Sequence, residues 1–329
     1  MLLNIRISTF LYFGIGICIC IMFYVSLLPQ NTISSRQTRS CDCSQSSNSH
    51  NSLANSVQNQ FRKTNAHNLA ILDRFEELLE FVPDISSFLI AQKKSFHIFI
   101  INQADGLRFN RASLLNADVE GVDYVALHDV DLIPKNPSLI YSFPSEGPFH
   151  VAAPHLHPRY HYPTFIGGIL LIQRDHFRRV DGLSNKYWGW GLEDDEFYAR
   201  LTEARFKIFR PANLSTGIKD TFKHHHNRRI RKRDMIKCYN QQDVTRRRDR
   251  QTGLSTTKYN LLSRKEMTAD GYPFTILNIE LLCDYAVTPW CNCTQNVGNT
   301  KKTKTKQKKG AADIIVPRIN IKKHLTVDG

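Results

Sequence analysis

Short apolar runs punctuated by one strongly helical stretch constrain this 329-residue chain more than any other feature. HNLAIL (67–72), FHIFII (96–101), DYVAL (123–127) and FIGGILLI (165–172) are short apolar runs that read as strands. Between the first two, DRFEELLEFVPDISSFL places Phe75, Leu78, Leu79 and Val82 at helical spacing. Strands alternating with helices predict an α/β domain with a Rossmann-like, mainly parallel central sheet. Ligands gather beyond the carboxyl ends of strands in such sheets, so the residues after each run carry the functional signal.

The ends of the chain differ from this body. Residues 10–28 contain no charge and, at ~1.5 Å per residue, cross most of a ~30 Å hydrocarbon core. They are expected to form an uncleaved signal-anchor transmembrane helix behind a cytoplasmic tail, 1–9; a cleaved secretory signal is the alternative. Either delivers the remainder to an oxidising, glycosylating compartment. Residues 31–66, rich in Ser, Asn and Gln, bury too little to offset ordering entropy and are expected to be a disordered luminal stem. The globular domain is expected over 67–294, and 295–329 reads as a basic low-complexity tail.

The formal charge is +14. Residues 228–250 (10 Lys/Arg, 3 Asp/Glu) and 301–329 (9 and 2) carry all of it, and the rest sums to zero. So local an excess argues against a nucleic-acid binder. Six cysteines lie beyond the apolar span, Cys41, Cys43, Cys238, Cys283, Cys291 and Cys293, and an oxidising setting favours disulfides of open connectivity. Asn213-Leu-Ser and Asn292-Cys-Thr are glycosylation sequons.

Three clusters carry chemistry. His128-Asp129-Val130-Asp131 leaves a strand with two acids at i and i+2, suited to a divalent cation that holds a diphosphate. In extended His224-His225-His226 the first and third imidazoles project to one side, and oxygen with imidazole ligands suits Mn²⁺ better than Ca²⁺. Trp188-Gly-Trp190-Gly precedes Glu193-Asp194-Asp195-Glu196, which the Phe197, Leu201, Ala204 spacing puts in the first turn of a helix. Acids there favour the helix dipole, but indoles between glycines also make a mobile lid that stacks on a sugar beside a general base.

WGWGLEDDEFY, HDVDLIP, Leu107-Arg-Phe-Asn-Arg-Ala112 and the Gly167-Gly168 strand together resemble the β-1,4-galactosyltransferases. GPFHVAAPHLHPRYHYPTFIGGILL and the His-x-His pair resemble the branch that adds galactose to xylose of the glycosaminoglycan linker. The resemblance spans about 67–293. It implies a GT-A fold, UDP-galactose as donor, Mn²⁺, xylosylated proteoglycan core protein as acceptor, inversion at the anomeric carbon, and a single-pass type II protein of the Golgi membrane. By motif position it implies that Asp131, His224 and His226 bind the metal and that Asp194 is the catalytic base, with Glu193 and Asp195 positioning the acceptor. Arg74, Phe109, Asn110, Arg111, Val130, Asp131, Tyr160, Trp190, His224, His226 and Arg233 are the implied donor site, and Cys283–Cys291 an implied disulfide. Part of the basic 228–250 run would then serve the anionic donor. Ile71-Leu72 meets Asp73-Arg74 about four residues short of the family's uridine-cradling Pro-aromatic-Arg segment, so the strand is expected to shift register or the helix start to unwind. The shortening also leaves open a catalytically impaired, carbohydrate-binding relative, and N-acetylglucosamine is the alternative acceptor.

Overall fold

The computed structural model describes residues 20–25, 74–117, 121–214, 216–226 and 232–293. In chain order these form β1 (Cys20–Val25), α1 (Phe75–Ala91), β2 (His97–Gln103), α2 (Arg111–Leu115), β3 (Tyr124–Asp129), β4 (Leu132–Pro134), β5 (Phe149–His150) and β6 (Ile169–Gln173). There follow α3 (Arg174–Arg179), α4 (Glu193–Glu203), α5 (Ile218–Thr221), β7 (Phe222–His224), α6 (Gln241–Val244), β8 (Tyr259–Ala269) and β9 (Tyr272–Leu281).

The main sheet runs β5-β6-β3-β1-β2-β9-β8, and β4 pairs with β7 in a small second sheet. Both faces are covered, which explains why the strands read as continuous apolar runs. Ile98 and Ile100 of β2, Ala126 of β3, and Ile169 and Leu171 of β6 point to one side, where they pack with Leu78, Phe81, Val82, Ile85 and Leu89 of α1. Their neighbours Phe99, Ile101, Val125, Leu127, Leu170 and Ile172 point to the other, against Ala112 and Leu114 of α2 and Phe197 and Leu201 of α4. Truncating a fully buried member such as Leu78 to alanine costs about 2–5 kcal/mol.

One expectation needs correction, and a second meets a new observation. The α/β class holds, but the sheet is mixed: β2–β9 is its parallel pair among the described strands, and the other neighbours run antiparallel. The reason lies in the connections. β8 and β9 are joined by the two-residue turn Asp270-Gly271, both residues at positive φ, a hairpin closure that forces antiparallel pairing. The second concerns the apolar N-terminal run. Cys20–Val25 is a strand between β2 and β3, antiparallel to both. Among the described residues, no helix is long and apolar enough to cross a membrane.

The remainder of 10–28, the tail 1–9, the stem 31–66, the strand expected at 67–72 and the tail 295–329 lie outside the described residues. The helix after the shortened segment does not unwind: α1 starts at Phe75 with Arg74 at its N-cap position, and Arg74 Nη1 donates to Glu77 at 3.2 Å.

Candidate active site

β3 ends at Asp129, and the chain turns through Asp131 into β4. Pairing of Leu132 with His224 lays β7 beside this turn, and the His225 amide donates to the Asp131 carbonyl at 2.8 Å. The extended backbone at Phe222–His224 therefore delivers His224 and His226 to one carboxylate. His226 Nδ1 lies 3.4 Å and His224 Nε2 3.9 Å from Asp131 Oδ2, and the two rings are stacked 5.9 Å apart at 9°. Burial raises the Asp131 pKa, but His226, His224 and Arg74 outweigh it and hold the carboxyl below its ordinary range. Burial lowers His224, keeping a neutral imidazole.

The group suits a cation. His226 Nδ1 is buried beside Asp131 Oδ2, at 3.4 Å, without a well-formed hydrogen bond among the described residues. Among the described residues, no three His, Cys, Asp or Glu side chains already stand in metal-holding geometry, so the triad is gathered but not closed. One carboxylate oxygen and two imidazoles form a donor set that Mn²⁺ accepts.

The acidic helix start faces the same turn. Phe197 and Leu201 bury one face of α4 and leave Glu193, Asp194 and Asp195 of its first turn at the crevice. Arg111 joins this turn to the strand exit. Its Nη2 donates to Asp129 Oδ1 at 2.8 Å, its Nη1 to Asp194 Oδ1 at 3.0 Å, and Nη1 lies 3.9 Å from Glu193 Oε1. Burial, then the neighbouring Asp194 charge, pushes Glu193 up to about 7 and Asp195 up to about 6; the Tyr162 hydroxyl hydrogen-bonded to Asp195 limits the latter shift. Asp129 rises to about 6 through burial, tempered by Arg111. Gly167 backs Asp194 so closely that a Cβ there would lie 2.3 Å from Asp194 Oδ2. No other residue type leaves the carboxylate in place.

The lid is narrower than the sequence suggested. Trp188 is buried in the core beside α4, whereas Trp190 is 36% exposed. Gly189 takes a positive φ of 80°, and a Cβ there would meet Arg108 Nη2 at 2.1 Å. Arg108 is the hub beneath this turn, donating to Asp234, Gln241 and the carbonyls of Trp290 and Ile236. Arg233 stacks 4.2 Å over the Trp190 ring and donates to the Tyr160 hydroxyl at 2.6 Å. Tyr160 touches His157, 5.2 Å between rings, and His157 lies 6.2 Å from His224. A continuous line of contacts thus runs from the candidate metal group to the lid.

Three expected donor residues turn inward. Asn110 is fully buried: its Oδ1 caps α2 by accepting from Ser113 N, and its Nδ2 donates to the Asn185 carbonyl. Phe109 and Val130 are core residues, with the Phe109 carbonyl accepting from Gly189 N. The basic run divides: part of it turns away from the crevice, and Arg233 and Lys237 meet the lid. Arg248 pairs with Glu196 and Glu203, and Arg250 with Glu203, while Arg233 faces the lid. Glu196, at the end of the acidic motif, is consumed by Arg200 at 2.8 Å and Arg248 at 2.6 Å.

The disulfide Cys283–Cys291 is present, and Cys238–Cys293 accompanies it. Tyr162 entered the site without being singled out from sequence, and Asp129 and Gly167 entered it in roles the sequence did not assign. Asp129 had a signal in the Asp-x-Asp pair, and Gly167 in the paired glycines; Tyr162 had none.

Residues 29–144 match the family described as the N-terminal region of glycosyl transferase group 7, and 147–226 match that described as the N-terminal domain of galactosyltransferase. β-1,4-Galactosyltransferase 7 of Drosophila melanogaster is 54% identical over 237 residues, covering 69% of this chain and 74% of the relative. The human enzyme of that name is 49% identical over 233 residues, 68% and 71% of the two chains. Xylosylprotein 4-β-galactosyltransferase of Caenorhabditis elegans is 46% identical over 242 residues, 70% and 83%. Among solved structures, the catalytic domain of Drosophila β-1,4-galactosyltransferase 7 with xylobiose superposes with a TM-score of 0.66 at 55% identity, covering 68% of this chain and 95% of that one. A variant of that enzyme, in complex with manganese, UDP-Gal and xylobiose, gives 0.66 at 54% identity with the same coverage.

Proposed function

The chain belongs to the β-1,4-galactosyltransferase family, and on that premise we propose how its residues work as a Mn²⁺-dependent xylosylprotein β-1,4-galactosyltransferase. It moves galactose from UDP-galactose to O4 of xylose on proteoglycan core proteins. Asp194 accepts the O4 proton as O4 attacks galactose C1; the bond from C1 to the UDP oxygen breaks on the opposite face, and configuration inverts. Glu193 and Asp195 orient the xylose hydroxyls, and Trp190 with Tyr160 packs on the donor sugar beside Arg233. Asp131, His224 and His226 would hold Mn²⁺, which when bound neutralises charge on the diphosphate leaving group.

The observation that carries this reading is the Arg111 bridge between Asp194 and Asp129, two residues ahead of Asp131. It brings a candidate base and a candidate metal group to one crevice. The test is transfer to a β-xyloside and, in parallel, to an N-acetylglucosaminide, by wild type and Asp194→Asn with Mn²⁺ and UDP-galactose. Transfer to xylose that Asp194→Asn abolishes while the fold persists supports the assignment; equal rates in the two proteins refute it.

The lumen of the Golgi, behind a single-pass type II anchor at 10–28, is the proposed location. Two disulfides and two sequons suit that compartment. Carbonate extraction with protease protection checks this: release into the soluble fraction would exclude the anchor.

A further inference from the structure

His150 lies at the end of β5, fully buried, paired in register with Leu170 of β6 and 5.5 Å from the Phe165 ring. Among the described residues, its hydrogen-bond and ring partners Gly167, Phe209 and Phe165 belong to neither the proposed donor group nor the metal group. Its Nε2 donates to the Gly167 carbonyl at 2.8 Å, whose other lone pair takes the Ile169 amide at 3.0 Å. Its Nδ1 is buried without a hydrogen-bond partner among the described residues. Leaving that atom unpaired costs about 1–3 kcal/mol, which an apolar residue of similar size would avoid. The single bond to Gly167 is what the imidazole contributes there.

That bond acts on a turn with two clients. The Gly168 carbonyl accepts the Asp129 amide at 2.8 Å, and Gly167 is the surface against which Asp194 Oδ2 packs. Asp129 and Asp194 are in turn the carboxylates that Arg111 joins. We propose that His150 is a positioning residue for sugar transfer: by holding the Gly167 carbonyl it sets the height of the Gly167-Gly168 turn, and so the placement of Asp194 relative to the Asp129 strand exit. This rests on the assignment of Asp194 as base. Burial lowers the His150 pKa to about 3, so the ring stays neutral, with one N–H for Gly167, across the working pH range.

The experiment compares wild type, His150→Leu, His150→Gln, Gly167→Ala and the double variant His150→Leu/Gly167→Ala. The readouts are xyloside transfer kinetics, UDP affinity with Mn²⁺ by calorimetry, and hydrogen exchange at the Asp129 amide. A misplacement on the ångström scale lowers kcat by about a hundredfold. His150→Leu is expected to show a loss of that order, with KM for UDP-galactose and UDP affinity within about threefold of wild type. His150→Gln, whose amide reaches the same carbonyl, recovers most of kcat. The double variant is no slower than Gly167→Ala alone, because both act through one turn. Wild-type kcat in His150→Leu, equal losses in Gln and Leu, or additive losses overturn the proposal. If His150→Leu does not fold, full kcat in Gly167→Ala overturns it instead. Failure of the wild type to use a xyloside sinks the functional reading, and the turn is then judged by exchange: unchanged Asp129 protection in His150→Leu defeats the inference.

Discussion

Arg111 Nη1 stands 3.0 Å from Asp194 Oδ1 in the same guanidinium that makes two contacts to Asp129, at 2.8 and 3.1 Å. One planar cation thus fixes the spacing between the helix that carries the proposed base and the strand that leads to the proposed metal group. Lysine cannot reproduce this fork. Arg111→Lys is expected to lower kcat for xyloside transfer by about a hundredfold while the protein stays folded. Steady-state kinetics with a urea melt of each protein checks it, and a kcat within threefold of wild type would show that the bridge is dispensable.

Metal dependence follows from the two imidazoles gathered at Asp131. Chelation is expected to abolish transfer and added Mn²⁺ to restore it. His226→Ala removes a ligand and raises the Mn²⁺ concentration for half-activation by about tenfold or more. A Mn²⁺ titration of activity settles the point; an unchanged half-activation concentration removes His226 from the ligand set.

Glu196 is a stability residue despite its place in the acidic motif. It is buried between Arg200 and Arg248 and accepts the Asp249 amide at 3.2 Å. Removing one partner strands buried charge, so Glu196→Ala is expected to cost about 3–5 kcal/mol in urea unfolding. A loss below about 1 kcal/mol would mean that the two arginines find other partners.

Glu193 makes stability depend on pH. Its carboxyl titrates near 7 in the folded protein against an ordinary 4.5, through burial first and the Asp194 charge second. Because the folded value is raised, the favourable contribution is complete below about 4.5 and is lost as pH rises through about 7. Glu193→Gln removes this dependence. In metal-free protein the variant should gain stability relative to wild type between pH 5 and pH 8, by about 1–3 kcal/mol. Parallel unfolding curves at the two pH values test it, and an equal difference at both would contradict the raised value.

Periodicity alone was enough for α1, for the two-faced strands β2, β3 and β6, and for the first turn of α4. Each of these is decided by which side chains must avoid water, and that is written locally in FHIFII, DYVAL, GILLI and the Phe197, Leu201 spacing. The resemblance located Asp131, His224, His226, Asp194 and the Cys283–Cys291 pair by motif order. The β8–β9 direction is set locally by the Asp270-Gly271 turn, which periodicity does not read, whereas the pairing of Cys20–Val25 with β2 and β3 joins residues far apart in the chain. Nor could a motif say that Asn110 turns inward as a helix cap, that Glu196 is consumed by Arg200, or that Gly167 is the wall behind Asp194. Those assignments are made by distances between residues far apart in the chain. An apolar pattern specifies that a side chain is buried; only the packed chain specifies against which partner.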